Sequence, residues 1–221
     1  TSPFSVTVTV TDGVAPVQQI FTWNVSEVPV GLCGNDPTLV ACWPMEESSG
    51  SVLVDASSFG NNANITGTPT WVTGKVGQAL DLSGTAQYAI VPDDASLDLT
   101  NAITMAAWVK PEKVGTQNIL KKTTGTTTPN GYEISLSNPG KVFVRFNGNA
   151  TYRVDSLTSY PSNGMTGMHV AATYDGTTIR LYINGVLEGS TPGVAIASNA
   201  TNLGIGAEPA ATVINLFQGA I

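Results

Sequence analysis

Residues 169–187 read HVAATYDGTTIRLYINGVL, and this stretch decides the fold class. Apolar and polar residues alternate along it, and the dipeptides Asp175-Gly176 and Asn184-Gly185 follow the two alternating runs. Alternation with a period of two is typical of a strand with one buried face. Asp-Gly and Asn-Gly permit the positive φ angles that tight hairpin turns require. The stretch therefore predicts antiparallel strands joined by tight turns.

Similar runs recur from residue 38 onward, and no run of ten or more residues keeps the 3.6-residue period of a helix. The clearest predicted strands are residues 79–82, 87–91, 103–110, 117–121, 132–136, 141–146, 151–156, 169–174, 178–183 and 201–205. So many strands in one unit require two packed sheets. We therefore predict an all-β, two-sheet antiparallel sandwich, in which residues 103–109 and 178–183 are buried strands. Trp108 is expected to be mostly buried or packed at the sheet end.

The first 29 residues form a separate segment. Residues 5–10 and 19–25 alternate on either side of a turn, which predicts a β-hairpin. This hairpin resembles the last two strands of a bacterial cadherin-like or immunoglobulin-like repeat. Residues 26–29, SEVP, read as a linker. We therefore predict a first segment over residues 1–29 and a second domain over residues 30–221.

Composition excludes several classes of partner. Of 221 residues only 11% are charged, against about 25% in an ordinary globular chain, and the net charge is −7 from 9 basic and 16 acidic residues. Phosphate backbones and anionic lipids attract clusters of Lys and Arg, which this sequence lacks. No apolar stretch reaches the length of a membrane span. We expect no nucleic-acid partner and no membrane insertion.

Three motifs carry a resemblance to a known family: GKVGQAL at 74–80, AAWVKP at 106–111 and the stretch at 169–187. Together with CWPMEESSG and VDASSFGNNANITG upstream, they resemble a laminin-G-like domain of the concanavalin A-like superfamily over residues 39–221. The resemblance implies a jelly-roll sandwich, preceded here by the N-terminal hairpin.

Two positions depart from the family pattern. The family usually has a tryptophan where this chain has Gly167, and we expect Met165 or Met168 to fill the space. The family also continues after its G-x-I segment with an acidic, apolar-alternating strand, whereas this chain reads GAI at residues 219–221. The resemblance thus implies a sandwich truncated at its last strand, with an unpaired edge.

The chain has only two cysteines, Cys33 and Cys42. The segment between them contains GNDP at residues 34–37, which favours a turn that would bring the two sulfurs together. We predict a disulfide, which is typical of an oxidising compartment. The alternative is a pair of buried thiols.

A candidate calcium site lies in residues 54–67, VDASSFGNNANITG. Calcium binds carboxylate, amide and backbone oxygens in flexible loops. The predicted ligands are Asp55, Asn61 and Asn62, with Ser57 and Asn64 nearby. The family resemblance implies a calcium held by this Asp, by nearby carbonyls and by an acidic residue of the final strand, which is absent here. Such an ion would tie the loop down, and the alternative is an Asx-rich turn without an ion.

A candidate glycan site comes from aromatic and polar residues near three predicted strands. Sugars stack on aromatic faces, while Asn, Arg and backbone groups bind their hydroxyls. Along residues 141–147, KVFVRFN, one face carries Val142, Val144 and Phe146 and must be core, whereas the other face is available for a ligand. The predicted ligand-binding residues are Tyr132, Phe143, Arg145, Asn147, Tyr152 and Arg153. For each aromatic, packing within the fold is the alternative.

Signals of catalysis are weak. Glycosidases need two carboxylates on one face, but Glu46 and Glu47 are adjacent and would point to opposite faces of a strand. His169 opens a strand in which packing is the expected role. We therefore predict a non-catalytic, extracellular or cell-surface module of a bacterial secreted protein that binds a polysaccharide or glycoconjugate. The alternatives are a module that binds extracellular protein in adhesion, and a glycosidase or polysaccharide lyase domain.

Overall fold

The computed structural model describes residues 4–11, 16–23, 33, 36–125 and 129–221, in two units, Thr1–Asp36 and Pro37–Ile221. In the first unit, Phe4–Thr11 (β1) pairs antiparallel with Pro16–Trp23 (β2). This confirms the predicted hairpin. The second strand begins earlier than expected, at Pro16, a position that a strand tolerates because proline there has no ladder hydrogen bond to donate. That this hairpin belongs to an immunoglobulin-like repeat stays a prediction.

The second unit consists of short strands and two 3₁₀ turns. The strands of its described residues are β3 (Val52–Leu53), β4 (Ala63–Thr66), β5 (Thr70–Thr73), β6 (Gln78–Ser83), β7 (Tyr88–Val91), β8 (Ile103–Pro111), β9 (Gln117–Lys122), β10 (Tyr132–Leu136), β11 (Lys141–Phe146), β12 (Arg153–Ser159), β13 (Met168–Tyr174), β14 (Thr178–Ile183), β15 (Val186–Pro192), β16 (Leu203–Ile205) and β17 (Gln218–Ala220). The 3₁₀ turns are Ala95–Leu97 and Ala150–Tyr152. None of the described helices has the length and hydrophobicity needed to cross a membrane.

These strands form two antiparallel sheets. One has eight strands in the order β12-β11-β10-β9-β16-β7-β4-β3, and the other has seven in the order β15-β14-β13-β8-β17-β6-β5. The predicted hairpin of residues 169–183 is the β13-β14 pair, with Val170 opposite Ile183. The all-β two-sheet sandwich is therefore confirmed.

The core lies between the two sheets and is built from alternate residues of each strand. In β13 and β8 the inward residues are Met168, Val170, Ala172, Tyr174, Ile103, Met105 and Val109, all buried. Met168, one of the two residues expected to fill the space near Gly167, is 2% exposed, whereas Met165 is 80% exposed. The inward residues of these strands follow the alternation of apolar residues along the sequence.

Five strands, β3, β4, β5, β15 and β17, were not predicted. Four of them span only two to four residues, which is too short for alternation to be recognised. The fifth, β15, reads VLEGSTP and lies at a sheet edge, where a regular apolar face is not required. Their pairing comes from neighbouring strands rather than from a local pattern.

The strand β17 lies inside the seven-stranded sheet, between β6 and β8. Gly219 has φ +124°, and a Cβ there would lie 2.1 Å from the Lys110 carbonyl oxygen, so this position requires glycine. The edges of the sheet are β15 and β5. We expected an unpaired edge where the last strand of the family would lie. It is not observed, because Gln218–Ala220 forms a strand in that position between β6 and β8. That an acidic segment extends this strand stays a prediction.

Both cysteines are disulfide-bonded, and the described residues contain no free cysteine. This agrees with the predicted bridge of Cys33 and Cys42.

Candidate functional site

The six residues predicted to bind a ligand do not form one surface. Tyr132 lies in the core and is 3% exposed, although we had placed it in the binding set. Its hydroxyl donates to the Leu97 carbonyl oxygen at 2.9 Å. Burial raises the pKa of Tyr132, so the hydroxyl stays protonated and keeps donating.

Asn147 and Tyr152 also have structural contacts. Asn147 adopts φ 53° in the turn after β11, where its side-chain amide donates to the Ala195 carbonyl at 3.0 Å and accepts from the Ala197 amide at 2.9 Å. Tyr152 is half-buried and packs against the core. These contacts hold a turn and a loop in place, and they leave little of either side chain for a ligand.

Phe143, Arg145 and Arg153 do meet, on the outer face of the eight-stranded sheet. Phe143 is nevertheless only 3% exposed, because the Arg153 guanidinium covers its ring at 3.8 Å from the centroid and that of Arg145 lies at 5.5 Å. Both cations gain from the ring's negative face. The ring that was predicted to stack on a sugar is therefore already stacked on an arginine.

The two arginines are also ion-paired. Arg145 bonds to the buried Glu133 at 2.5 Å, and Arg153 bonds to the half-exposed Asp155 at 2.5 Å. Their donors are thus largely used within the sheet. The Arg153–Asp155 pair is the more exposed of the two, with side chains 25% and 44% exposed.

A buried charged cluster lies beside this group, and the sequence analysis missed it. The Lys121 ammonium lies 2.8 Å from a Glu208 oxygen and 3.6 Å from a Glu133 oxygen, and all three side chains are at most 4% exposed. Burial raises the pKa of Glu208, but hydrogen bonds from Lys121 and from the Gly125 amide outweigh it, so its pKa lies below the usual value. The signal available in the sequence was QNILKK, a strand with lysines where apolar residues are expected.

The outer face of the seven-stranded sheet has a different character. Trp108 is 41% exposed there, which corrects our expectation that it would be mostly buried. The reason is register, because Ile103, Met105 and Val109 face the core, so the even-numbered Trp108 must face outward. The alternation along 103–109 could have predicted this.

The surface around Trp108 carries other ring side chains and two alanines. His169 pairs with Trp108 across the strands, and their ring centroids lie 5.2 Å apart. The next cross-strand pair is Ala171 opposite Ala106, and Ala171 also pairs with the half-buried Tyr182. We call Trp108, His169, Tyr182, Ala106 and Ala171 the Trp108 surface. His169 therefore packs on the outer face rather than in the core.

This arrangement suits a ring-shaped ligand. Two alanines beside the indole leave space for a flat molecule, and the indole offers an apolar face and an N–H donor. Lys75 lies over the Trp108 ring at 5.0 Å from the centroid, and its ammonium is a further hydrogen-bond donor beside the indole. The Trp108 surface can thus stack a sugar ring and donate hydrogen bonds to its hydroxyls.

The loop that was predicted to bind calcium is organised around Asp55, which is 6% exposed. One carboxylate oxygen accepts from the Cys42 and Ser57 amides, at 2.8 and 2.9 Å. The other accepts from the Ser57 hydroxyl and the Asn61 amide, at 2.6 and 2.7 Å. Each oxygen therefore has two donors, which occupy the lone pairs that a cation would need.

The two asparagines are engaged as well. The Asn61 side-chain nitrogen donates to the Val40 carbonyl and the Ser96 hydroxyl, and the Asn62 side-chain oxygen accepts from the Asp55 amide. Across the described residues, no group of three or more His, Cys, Asp or Glu could hold a metal ion. In this arrangement the predicted ligands do not fit calcium, and they do fit an Asx-rich turn.

We expect Asp55→Asn to lower the free energy of unfolding by about 2–3 kcal/mol, because a buried acceptor of four hydrogen bonds is replaced by a group that can accept at one atom only. Burial raises the pKa of Asp55, but hydrogen bonds from Ser57, Cys42 and Asn61 outweigh it, and the net pKa is lowered. The stabilisation is thus full above about pH 4 and is lost as the pH falls through the lower folded value. Urea unfolding between pH 2 and 7 measures it.

The matched control is Asp155→Asn, which removes an exposed pair and is expected to change stability by about 1 kcal/mol or less. Calcium provides a second arm of the experiment. We expect neither calcium nor excess EDTA to move the melting temperature. A rise with calcium that Asp55→Asn abolishes would show that the loop rearranges to bind the ion.

The fold and these surfaces define a class of protein: a concanavalin A-like β-sandwich with an open, aromatic sheet face. Residues 83–221 match the Laminin_G_3 family, described as the concanavalin A-like lectin/glucanases superfamily, and the chain belongs to this family. A search of curated proteins found no match.

Solved structures share the fold at low identity. Domain 4 of AbnA, a GH43 extracellular arabinanase from Geobacillus stearothermophilus, in complex with arabinotriose, aligns with a TM-score of 0.59 and 22% identity over 76% of this chain and 82% of that domain. The binding domain of Paraclostridial Mosquitocidal Protein 1 aligns with a TM-score of 0.59 and 15% identity, over 78% of this chain and 48% of that one. The botulinum neurotoxin serotype D binding domain aligns with a TM-score of 0.55 and 16% identity, over 79% and 47%. This chain spans about half the length of the two toxin domains, and at these identities the likeness shows the fold.

Proposed function

We propose that this protein is a non-catalytic extracellular module that binds polysaccharide through the Trp108 surface. The observation that carries the proposal is the exposed indole of Trp108 on a sheet face floored by alanines. Indole faces bind the apolar C–H face of sugar rings, and Trp108 stands beside a second ring, His169, on the same sheet face. The arabinanase domain with this fold was crystallised with arabinotriose, which supports a sugar as the ligand class.

Binding without cleavage is supported by the state of the buried carboxylates. Glu133 and Glu208 lie on either side of Lys121, but each is ion-paired and shielded from solvent. A glycosidase needs a carboxylate pair that can reach the glycosidic oxygen. The cluster therefore serves the fold, and the open Trp108 surface holds no such pair among its residues.

The affinity of such a surface is modest. A flat site buries little area, and sugar hydroxyls exchange water for protein partners at small net gain. We expect dissociation constants on the order of 10 μM to 1 mM. The disulfide-bonded cysteines support an extracellular location, and the N-terminal hairpin is proposed to end an immunoglobulin-like repeat of a larger bacterial secreted protein.

Trp108→Ala is expected to weaken polysaccharide binding about 30-fold, which corresponds to about 2 kcal/mol for the loss of a stacking residue at the centre of a site. Affinity electrophoresis against plant, algal and animal polysaccharides identifies the ligand, and calorimetry with its oligosaccharides measures the loss. Phe59→Ala is the matched control, because Phe59 is an aromatic residue that is 50% exposed in a loop and does not belong to the Trp108 surface.

Two outcomes would contradict the proposal. Retardation by none of the polysaccharides would favour the adhesion alternative, for which the exposed Val186 and Leu187 of β15 are a candidate contact. Release of reducing ends or of unsaturated products, abolished by substitution of one carboxylate, would show that the protein is an enzyme.

A further inference from the structure

A cleft of about 280 Å³ opens between the two sheets, close to the Trp108 surface. Its walls include Val142 of β11 from one sheet and Met168 and Ile183 of β13 and β14 from the other. Together with Tyr160 these residues form an apolar floor, each at most 8% exposed. The cleft thus ends on the outermost apolar residues of the core.

The rim of this cleft is polar and uncharged. Ser159, Thr166 and Asn184 line it and are exposed, and none of the described residues that line it is charged. Within the described part of the chain, the Ser159 hydroxyl and the Asn184 side-chain nitrogen make no hydrogen bond, although the Asn184 side-chain oxygen accepts from the His169 amide at 2.9 Å. Two polar groups are therefore free to bind a neutral ligand above an apolar floor.

The cleft adjoins the Trp108 surface through His169. The His169 ring contacts the indole, and its backbone exchanges two hydrogen bonds with Asn184 of the rim. Gly167, which also lines the cleft, is two residues from His169 in the sequence. The cleft and the Trp108 surface therefore meet at the first residues of β13, where a chain-like ligand would cross the strand end to occupy both.

We infer that this cleft is a second subsite of the proposed polysaccharide-binding site and takes one uncharged sugar unit bearing an acetamido group. The inference rests on the proposed function. Sites for drug-sized ligands measure roughly 300–1,000 Å³, so a cleft just below that range suits a single sugar unit. The acetyl methyl group would cover the apolar floor, and the amide and ring hydroxyls would bind Ser159 and Asn184. The absence of charge along the rim disfavours a uronic or sialic acid.

The experiment compares two trimers that differ at one carbon of each unit, tri-N-acetylchitotriose and cellotriose, by calorimetry. We expect the wild-type protein to bind the acetylated trimer about tenfold more tightly, since one buried methyl group and one hydrogen bond are gained. Gly167→Trp is expected to abolish this preference by filling the cleft. A Cβ at Gly167 would meet only the Val109 carbonyl oxygen, at 3.8 Å, so the backbone accepts a side chain.

Ser159→Trp fills the cleft from the other sheet. It provides the same test if the Gly167→Trp variant does not fold. Met165→Trp adds the same bulk at a residue of the same loop that does not line the cleft, and it should keep the preference. Trp108→Ala is run in parallel. Equal binding of both trimers, unchanged in Gly167→Trp but weakened in Trp108→Ala, would overturn the inference and leave the proposed function intact. Binding of neither trimer overturns the inference, and it counts against the proposed function only if no polysaccharide retards the protein.

Discussion

Lys121→Met is expected to lower the free energy of unfolding by about 3–5 kcal/mol, the usual cost of removing one partner from a buried ion pair. The ammonium of Lys121 lies between Glu208 and Glu133, and all three side chains are almost fully buried. Glu133 keeps its bond to Arg145, so the uncompensated charge falls mainly on Glu208. Urea unfolding followed by tryptophan fluorescence measures the change.

The double variant Lys121→Met, Glu208→Gln separates charge from packing. Removing the orphaned carboxylate should restore a substantial part of the lost stability. Lys75→Met is the matched control, because Lys75 is exposed and forms no ion pair among the described residues, and it should change stability by about 0.5 kcal/mol or less. A Lys121→Met protein as stable as the control would refute the role of the cluster.

Lys122→Met is expected to cost about 2–4 kcal/mol, somewhat less than the change at its neighbour. The Lys122 ammonium contacts a carboxylate oxygen of Asp93, lies 3.6 Å from one of Asp98, and donates to the carbonyls of Asn199 and Thr201 at 3.0 and 2.9 Å. The lysine is 1% exposed, but both aspartates are 32% exposed and can recover water when it is removed.

The ranking of the two lysines is itself a test. The register of β9 places Lys122 opposite the core residue Tyr132 and Lys121 opposite Glu133, so the two act on opposite faces of one sheet. Because they share no partner, the double lysine variant should lose the sum of the two effects within about 0.5 kcal/mol. A larger cost at Lys122 than at Lys121 would show that exposure of the carboxylates does not set the penalty.

The sequence predicted the strands more accurately than the roles of the candidate site residues. Along β11, alternation correctly placed Val142, Val144 and Phe146 in the core, but it could not show that Arg153 of the next strand covers Phe143. Trp108 was expected to be mostly buried or packed at the sheet end, but it is 41% exposed, and the alternation of its neighbours already indicated an outward position. The Asp55 loop was located correctly, yet only its hydrogen bonds distinguish an Asx-rich turn from a calcium site.

By itself, the sequence determined the class of fold, the hairpins at Asp175-Gly176 and Asn184-Gly185, and the inward face of the longer strands, because alternation and turn conformation are local properties of the chain. The tertiary structure alone decided which outer face stays open. Glu208 reaches Lys121 from 87 residues away and helps to cover one face, while the face with Trp108 remains exposed. Burial of a second sheet face depends on contacts between segments distant in sequence, and a period-two pattern carries no information about them.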